Sequence, residues 1–169
     1  MCCIRCFTCR TRASVLLPTL KGLIKPTDSV LDVGCDTGIV TNYIKEKIGC
    51  KIVGTDFQNI LEYNIPFVSY YDIKDKYDKI LLIDVLHHIP KDEQKNTVKK
   101  WEQFGQVIII ESEGNLTAKL VDYLNDLRGM ITPYAFRNQQ GWQLLLPDYK
   151  VEKIKSQFWY PLNHLVMTR

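Results

Sequence analysis

Several acidic and imidazole side chains stand at the ends of short apolar runs, where they could act together on one ligand. Asp56, Asp84 and Glu111 each follow such a run directly, and His87 and His88 come just after Asp84. In an open parallel sheet, ligands bind beyond the carboxyl ends of the strands. A carboxylate such as Asp56 can accept both hydroxyl groups of a ribose, and an imidazole suits proton transfer near neutral pH. The pattern is typical of a site for a nucleoside-bearing cofactor.

The first apolar run leads into a glycine-containing loop with the sequence VLDVGCDTG, which covers residues 30–38. Its glycines, Gly34 and Gly38, let the backbone turn sharply and approach a ligand, and the N–H groups of the next helix face any anion there. A dinucleotide fingerprint requires the closer spacing G-x-G-x-x-G. The spacing therefore disfavours a nicotinamide dinucleotide. Asp72, after the third run, is suitably placed to accept from an adenine amino group.

The elements that must position these residues alternate regularly between residues 29 and 111. Strands are predicted at 29–33, 51–55, 67–69, 79–83 and 106–110, with helices at 39–48 and 92–104. Continuous apolar strands that alternate with helices indicate a parallel sheet covered on both faces. The prediction is therefore a doubly wound α/β fold.

Both ends of the chain depart from this alternation. Helices are predicted at 11–24, which is stopped by Lys25-Pro26, and at 116–127. Alternating residues at 151–157 and 162–168 predict an antiparallel hairpin, so we expect seven mostly parallel strands with this hairpin at the edge of the sheet. A length of 169 residues suits one domain. We expect that domain to cover 11–169, behind a cysteine-rich tail at 1–10.

Charge argues against a nucleic-acid partner, and hydropathy argues against a membrane-spanning segment. The 22 Lys and Arg residues exceed the 19 Asp and Glu residues by only three, whereas nucleic-acid-binding domains carry a strongly basic patch. No apolar run approaches the ~18 residues of a membrane-spanning helix. We therefore expect neither a nucleic-acid partner nor a membrane-spanning segment.

Residues 30–112 resemble the class I S-adenosylmethionine (SAM) dependent methyltransferases, especially the small-molecule enzymes of the ubiquinone-biosynthesis type. The resemblance is carried, in chain order, by VLDVGCDTG, IVGTD, YDI, DVLHHIP and VIIIES. It implies SAM as cofactor, S-adenosylhomocysteine (SAH) as product and a Rossmann-like methyltransferase fold. It also implies that the residues around the cofactor are Asp32, Gly34, Cys35, Asp36, Gly38, Asp56, Phe57, Asp72, Ile73 and Asp84.

The same resemblance assigns a part of the cofactor to each of the later residues. It places the ribose hydroxyls at Asp56, the adenine at Phe57, Asp72 and Ile73, and the methionyl amino group near Asp84. Because SAM carries an already activated methyl group, the protein mainly has to align an acceptor behind it.

One position departs from the family pattern (D/E)-x-G-x-G-x-G, since the middle glycine is replaced by Asp36. One interpretation is that Asp36 faces solvent and caps the following helix, because Asp is a favoured N-cap residue. The other is that its charge repels the carboxylate of the cofactor and weakens or alters binding.

The two adjacent histidines, His87 and His88, are the candidate catalytic bases for an oxygen or carbon-acid acceptor. The alternative for either one is a capping or packing role. His164 is expected to be a structural histidine with satisfied hydrogen bonds, Trp142 a core residue, and Cys35 a small packing residue rather than a nucleophile.

A weaker resemblance to compact members of the group covers TPYAFR and PLNHLVMTR in the last third of the chain. Tyr134, Arg137 and Tyr160 are the predicted substrate residues. The predicted methyl acceptor is a small molecule. We expect no metal at the site, and we expect the protein to be a monomer or a homodimer. The alternatives are a protein side chain as acceptor, or a methyltransferase-like protein that has lost catalysis and acts as a partner or scaffold.

Four of the six cysteines, Cys2, Cys3, Cys6 and Cys9, fall in the first nine residues. Their spacing is unlike a secreted disulfide framework, so we expect a cytoplasmic protein with reduced thiols. Three interpretations remain open for this segment. It is an inert tail, a palmitoylation site at Cys2, Cys3 and Cys6 that gives membrane association, or a cramped metal site.

Overall fold

The computed structural model describes residues 4–114, 135–155, 160 and 162–169, with side chains from residue 9 onward. Its strands are β1 (Ser29–Val33), β2 (Lys51–Asp56), β3 (Phe67–Ser69), β4 (Lys79–Ile83), β5 (Gln106–Ser112), β6 (Lys150–Ile154) and β7 (His164–Thr168). Its helices are α1 (Ile4–Leu23), α2 (Ile39–Ile48), α3 (Gln94–Glu102) and α4 (Gln139–Leu145), with a 3₁₀ turn at Leu86–His88. The strands form one sheet in the order β3-β2-β1-β4-β5-β7-β6. The predicted α/β fold with an antiparallel end is confirmed.

The chain divides into two compact units, the first made of residues 1–81 and 104–106. In this unit β1 pairs in parallel with β2, and β2 with β3. Val30 and Leu31 of β1 are fully buried, which agrees with a continuous apolar strand covered on both faces. Gly49 ends α2 with a left-handed φ of 80° and donates its N–H to the Lys45 carbonyl, a glycine helix end that lets the chain turn directly into β2.

The second unit consists of residues 82–103 and 107–169. In it β7 pairs antiparallel with both β5 and β6, and Ser112 lies opposite His164. The apolar side chains from Val107 to Ile110 are buried, as are Trp101 of α3 and Trp142 of α4. Trp142 is thus the core residue that the sequence predicts.

Several element boundaries differ from the sequence prediction, those of α1, β5 and β6 among them. Helix α1 begins at Ile4 instead of residue 11, because residues 4–10 contain no proline or glycine to stop a helix. Strand β5 runs on to Ser112, and β6 ends at Ile154. The helix predicted at 116–127 lies outside the described residues. The expectation that 11–169 forms a single domain stays a prediction.

None of the described helices combines the length and hydropathy needed to cross a membrane. Cys9 is buried on α1, and its sulfur accepts a hydrogen bond from Arg12 at 3.5 Å. Cys2 and Cys3 lie outside the described residues, as does the side chain of Cys6. The acylation proposed for these three therefore stays a prediction.

Candidate functional site

The glycine-containing loop of the first unit joins β1 to α2 in a tight left-handed turn. Gly34, Asp36 and Gly38 have φ values of 74°, 51° and 80°. The N–H groups of Gly34 and Cys35 both donate to the carbonyl of Thr55 on β2, at 2.8 and 3.2 Å. A Cβ atom on Gly38 would lie 2.8 Å from a methyl carbon of Leu61. The left-handed backbone therefore favours glycine at position 38, and a Cβ atom there would also force the side chain of Leu61 to shift.

The capping role predicted for Asp36 is wrong. The N-cap of α2 is Gly38, and no side chain caps the helix. Asp36 instead donates its backbone N–H to Oδ2 of Asp56 at 3.0 Å. Asp tolerates the left-handed region better than most residues, which explains how it can replace the family's middle glycine. The effect of its charge on a cofactor stays a prediction.

The carboxylate of Asp56, at the end of β2, is oriented by two backbone donors. Oδ2 accepts from Asp36, and Oδ1 accepts from the N–H of Phe57 at 2.7 Å. Each oxygen keeps acceptor capacity, because a carboxylate oxygen has two lone pairs. Asp56 is only half-buried, so an oriented and accessible carboxylate stands where the sequence predicts a ribose contact.

Three aromatic residues, the first of them directly after Asp56 in the chain, form a cluster with exposed rings. Phe57 is 66% exposed and Tyr71 is 76% exposed. The ring of Phe57 lies 4.5 Å from that of Tyr70 and 6.3 Å from that of Tyr71. Asp72 follows with an exposed side chain, and Ile73 is half-buried. The tyrosines were not predicted as site residues, although an aromatic pair directly before Asp72 was the available signal.

Asp32 lies inside the unit and not at its surface. It is 3% exposed, and Oδ2 accepts a hydrogen bond from Oγ1 of Thr41 on α2 at 2.5 Å. Burial raises the pKa of Asp32 to about 6, the charge of Asp56 adds to this, and the Thr41 hydrogen bond opposes it. Asp32 therefore supports the loop by joining β1 to α2.

Cys35 is a buried residue of the same loop. Burial is the main reason that the pKa of its thiol is raised, which disfavours the reactive thiolate. A Cβ atom on Gly54 of β2 would lie 2.8 Å from its sulfur. These observations support the packing role predicted for Cys35.

In the second unit, Asp84 is held firmly just beyond the end of β4. Its φ of 54° is left-handed, and its N–H donates to the carbonyl of Ile110 at 2.8 Å. Oδ1 accepts from both the N–H and the hydroxyl of Ser112, at 2.8 and 3.0 Å. Non-glycine residues in this conformation are uncommon, and strain of this kind clusters at functional sites.

The two candidate bases differ in their surroundings. His87 is 2% exposed, and its Nδ1 lies 2.7 Å from Oε2 of Glu111. His88 is half-buried, and its ring centroid lies 4.1 Å from that of His87. Glu111 was noted at a strand end but not predicted as a partner of His87. This contact spans 24 residues, and no local pattern reveals it.

His164 does not have the satisfied hydrogen bonds that the sequence predicts. It is fully buried, and among the described residues neither ring nitrogen has a hydrogen-bond partner. Its Nε2 lies 3.7 Å from Oδ2 of Asp84, too far for a hydrogen bond. Tyr160, a predicted substrate residue, is buried and stacks on this imidazole at 5.6 Å.

Arg137 is anchored within the second unit. Its Nε donates to Oε1 of Gln94 at 2.6 Å, and Nη2 donates to the carbonyl of Lys91 at 2.9 Å. The Nε2 group of Gln94 in turn donates to the carbonyls of Leu86 and Ala135, both at 2.9 Å. Arg137 thus braces the segment that carries the histidines, and its substrate role stays a prediction. Tyr134 lies outside the described residues.

A family model described as a methyltransferase domain matches residues 8–104, more than half of the chain. A comparison with curated proteins finds no significant match.

Many solved structures share the fold. A SAM-dependent methyltransferase from Archaeoglobus fulgidus has a TM-score of 0.70 at 12% identity, covering 95% of this chain and 94% of its own. A protein from Pyrococcus horikoshii OT3 has a TM-score of 0.64 at 19% identity, covering 94% and 90%. Magnesium protoporphyrin IX methyltransferase from Synechocystis PCC 6803 with bound SAH has a TM-score of 0.60 at 17% identity, covering 98% and 83%.

Proposed function

This chain belongs to the methyltransferase domain family, and from that premise we propose that it transfers a methyl group from SAM to a small molecule. SAM supplies the methyl group in activated form and leaves as SAH. The protein has to bind the cofactor and orient the acceptor. Where the acceptor is a hydroxyl or a carbon acid, the protein also has to take its proton.

The observation that carries this proposal is the oriented carboxylate of Asp56 beside the exposed ring of Phe57. Two backbone N–H groups hold the carboxylate, and its remaining lone pairs suit the two hydroxyls of a ribose. The exposed rings of Phe57 and Tyr71 suit stacking on a purine, since aromatic faces bind nucleic-acid bases by stacking. We therefore propose that the first unit binds the adenosine part of SAM.

For proton transfer we propose His87 or His88. His88 is the more exposed of the two, whereas His87 is anchored to a carboxylate. A base of this kind contributes typically about 10²–10⁴-fold to the rate. Separate His87→Gln and His88→Gln variants should leave SAH affinity nearly intact, and the catalytic one should slow turnover by that factor. Loss of SAH binding would instead assign the histidine to cofactor support.

Isothermal titration calorimetry with SAM, SAH and NAD⁺ tests the cofactor assignment. We expect binding of SAM and SAH but not NAD⁺, and a loss of at least tenfold in SAH affinity in Asp56→Asn. Asp75→Asn is the matched control, because it removes an exposed carboxylate of the same unit. NAD⁺ binding, or equal affinities in the two variants, would contradict the assignment.

Methyl transfer from radiolabelled SAM to a panel of phenols, carboxylic acids, amines and peptides tests the acceptor class. Transfer to a small molecule supports the proposal, and transfer only to peptides would replace it with protein methylation. Absence of SAM binding at millimolar concentration, restored by Asp36→Gly, would favour the partner or scaffold function for this chain.

A further inference from the structure

We propose that Glu111 is a positioning residue that fixes the tautomer of His87, with the proton on Nδ1 and the lone pair on Nε2. Glu111 is 1% exposed and uses both carboxylate oxygens. Oε1 accepts from the N–H groups of Val85 and Leu86, at 2.9 and 2.6 Å. Oε2 lies 2.7 Å from Nδ1 of His87. The Glu111 side chain thus orients the backbone of Val85 and Leu86 and also the imidazole of His87.

The direction of the Glu111–His87 hydrogen bond follows from acid–base chemistry. A backbone N–H can only donate, so Oε1 must be an acceptor. The proton between Oε2 and Nδ1 belongs on the imidazole, because two backbone N–H groups donate to the same carboxyl group and such hydrogen bonds favour its charged, proton-free form. The hydrogen bond at one ring nitrogen determines which nitrogen is protonated. Neutral His87 therefore carries its proton-accepting lone pair on Nε2.

The ring of His87 is also restrained in place. Phe136 stacks on it at 4.5 Å with an interplanar angle of 15°, and the His87 carbonyl accepts from the N–H of Ala135 at 2.7 Å. Among the described residues, the titratable groups that face it are Glu111, His88 and Asp84, whose carboxylate lies within 4.8 Å of the Glu111–His87 pair. Stacking and the short contact at Nδ1 keep this nitrogen beside Glu111, so we infer that Glu111 determines which nitrogen carries the proton.

The isosteric substitution Glu111→Gln tests this role at nearly constant volume. The N–H groups of Val85 and Leu86 still need an oxygen, so the amide oxygen must take the Oε1 position. The amide NH₂ group then faces Nδ1 of His87. Two donors cannot face each other, so Nδ1 has to become the acceptor and the proton has to move to Nε2. We expect this one change to invert the tautomer.

Nuclear magnetic resonance of ¹⁵N-histidine-labelled protein measures the tautomer without cofactor or acceptor. We expect the Nδ1–H form in the wild type, the Nε2–H form in Glu111→Gln, and no change in Glu113→Gln. Glu113 is a suitable control because it lies beside the same strand end but binds Lys153 and Asn163. An Nε2–H form in the wild type would overturn the inference, and this spectrum decides even if Glu111→Gln fails to fold.

The kinetic test rests on the proposed methyl transfer. Glu111→Gln should lower kcat by about 10²–10⁴-fold and leave the KM for SAM within a factor of three. In the wild type, kcat should fall at low pH as His87 becomes protonated. This fall should be absent in Glu111→Gln. An unchanged kcat and pH profile in a folded, tautomer-inverted variant would overturn the positioning role. Absence of any methyl transfer in the wild type would contradict the proposed function but not the tautomer assignment.

Discussion

The buried carboxyl of Asp32 allows a quantitative prediction of how stability depends on pH. Burial raises its pKa from 3.8 to about 6, so the folded state binds this proton more tightly than the unfolded state. The stabilisation from proton binding is complete below about pH 3.8 and is lost as pH rises through about 6. A difference of about two pKa units, at 1.36 kcal/mol per unit, amounts to about 3 kcal/mol.

The substitution Asp32→Asn removes this titration and keeps an oxygen that can accept from Thr41. Its amide adds buried donors, whose cost is the same at every pH. The informative quantity is therefore the difference in unfolding free energy between the variant and the wild type. We expect this difference to move in favour of the variant by about 2.5 kcal/mol between pH 4 and pH 7.5, slightly less than the full amount because pH 4 lies just above the unfolded-state pKa of 3.8.

Urea unfolding followed by circular dichroism at several pH values measures this difference. Thr41→Val provides a second test, because it removes the hydrogen bond that lowers the pKa of Asp32. That variant should lose more stability at pH 7.5 than at pH 4. If the unfolding free energies of the wild type and Asp32→Asn change with pH in parallel, to within about 0.5 kcal/mol, the reasoning is refuted.

Three further predictions concern close packing in the first unit. Gly54→Ala should cost about 1–3 kcal/mol, because the new Cβ would lie 2.8 Å from the sulfur of Cys35, and adding Cys35→Ala should recover most of this loss in urea unfolding. The Cys35 thiol, whose pKa is raised mainly by burial, should react with iodoacetamide at pH 8 much more slowly in the folded protein than in urea. Equal rates would contradict its burial. Gly105→Ala should cost about 3 kcal/mol in thermal unfolding, because its Cβ would overlap the backbone oxygen of Tyr77, and an unchanged Tm would contradict that packing.

The sheet was predictable because its strands carry local signals. The runs ending at Val33, Ile83 and Ile110 are apolar, short and bounded by acidic or glycine residues, and such runs seldom fit any element other than a buried strand. Asp56 and Asp84 each directly follow a predicted strand, and the structure has each of them at or just beyond the carboxyl end of a strand in its own unit.

The contacts between distant residues were not predictable. The Glu111–His87 hydrogen bond depends on the pairing of a strand end with a turn 24 residues earlier. His164, whose ring nitrogens have no hydrogen-bond partner among the described residues, owes its surroundings to the exact register that places it opposite Ser112. The capping role of Asp36 was wrong for a local reason. Its φ of 51° makes it part of the turn, and the N-cap of the helix lies two residues later, at Gly38.

The order in which residues of the first unit are synthesised has a consequence for folding on the ribosome. Residues 104–106 belong to this unit although residues 82–103 belong to the other. The Phe104 carbonyl accepts from the N–H of Tyr77, and Gly105 packs on Tyr77 and Ile80. A nascent chain that has reached only residue 81 therefore lacks a piece of its first unit. That unit becomes complete only once Gln106 has left the exit tunnel, by which time helix α3 has already been made.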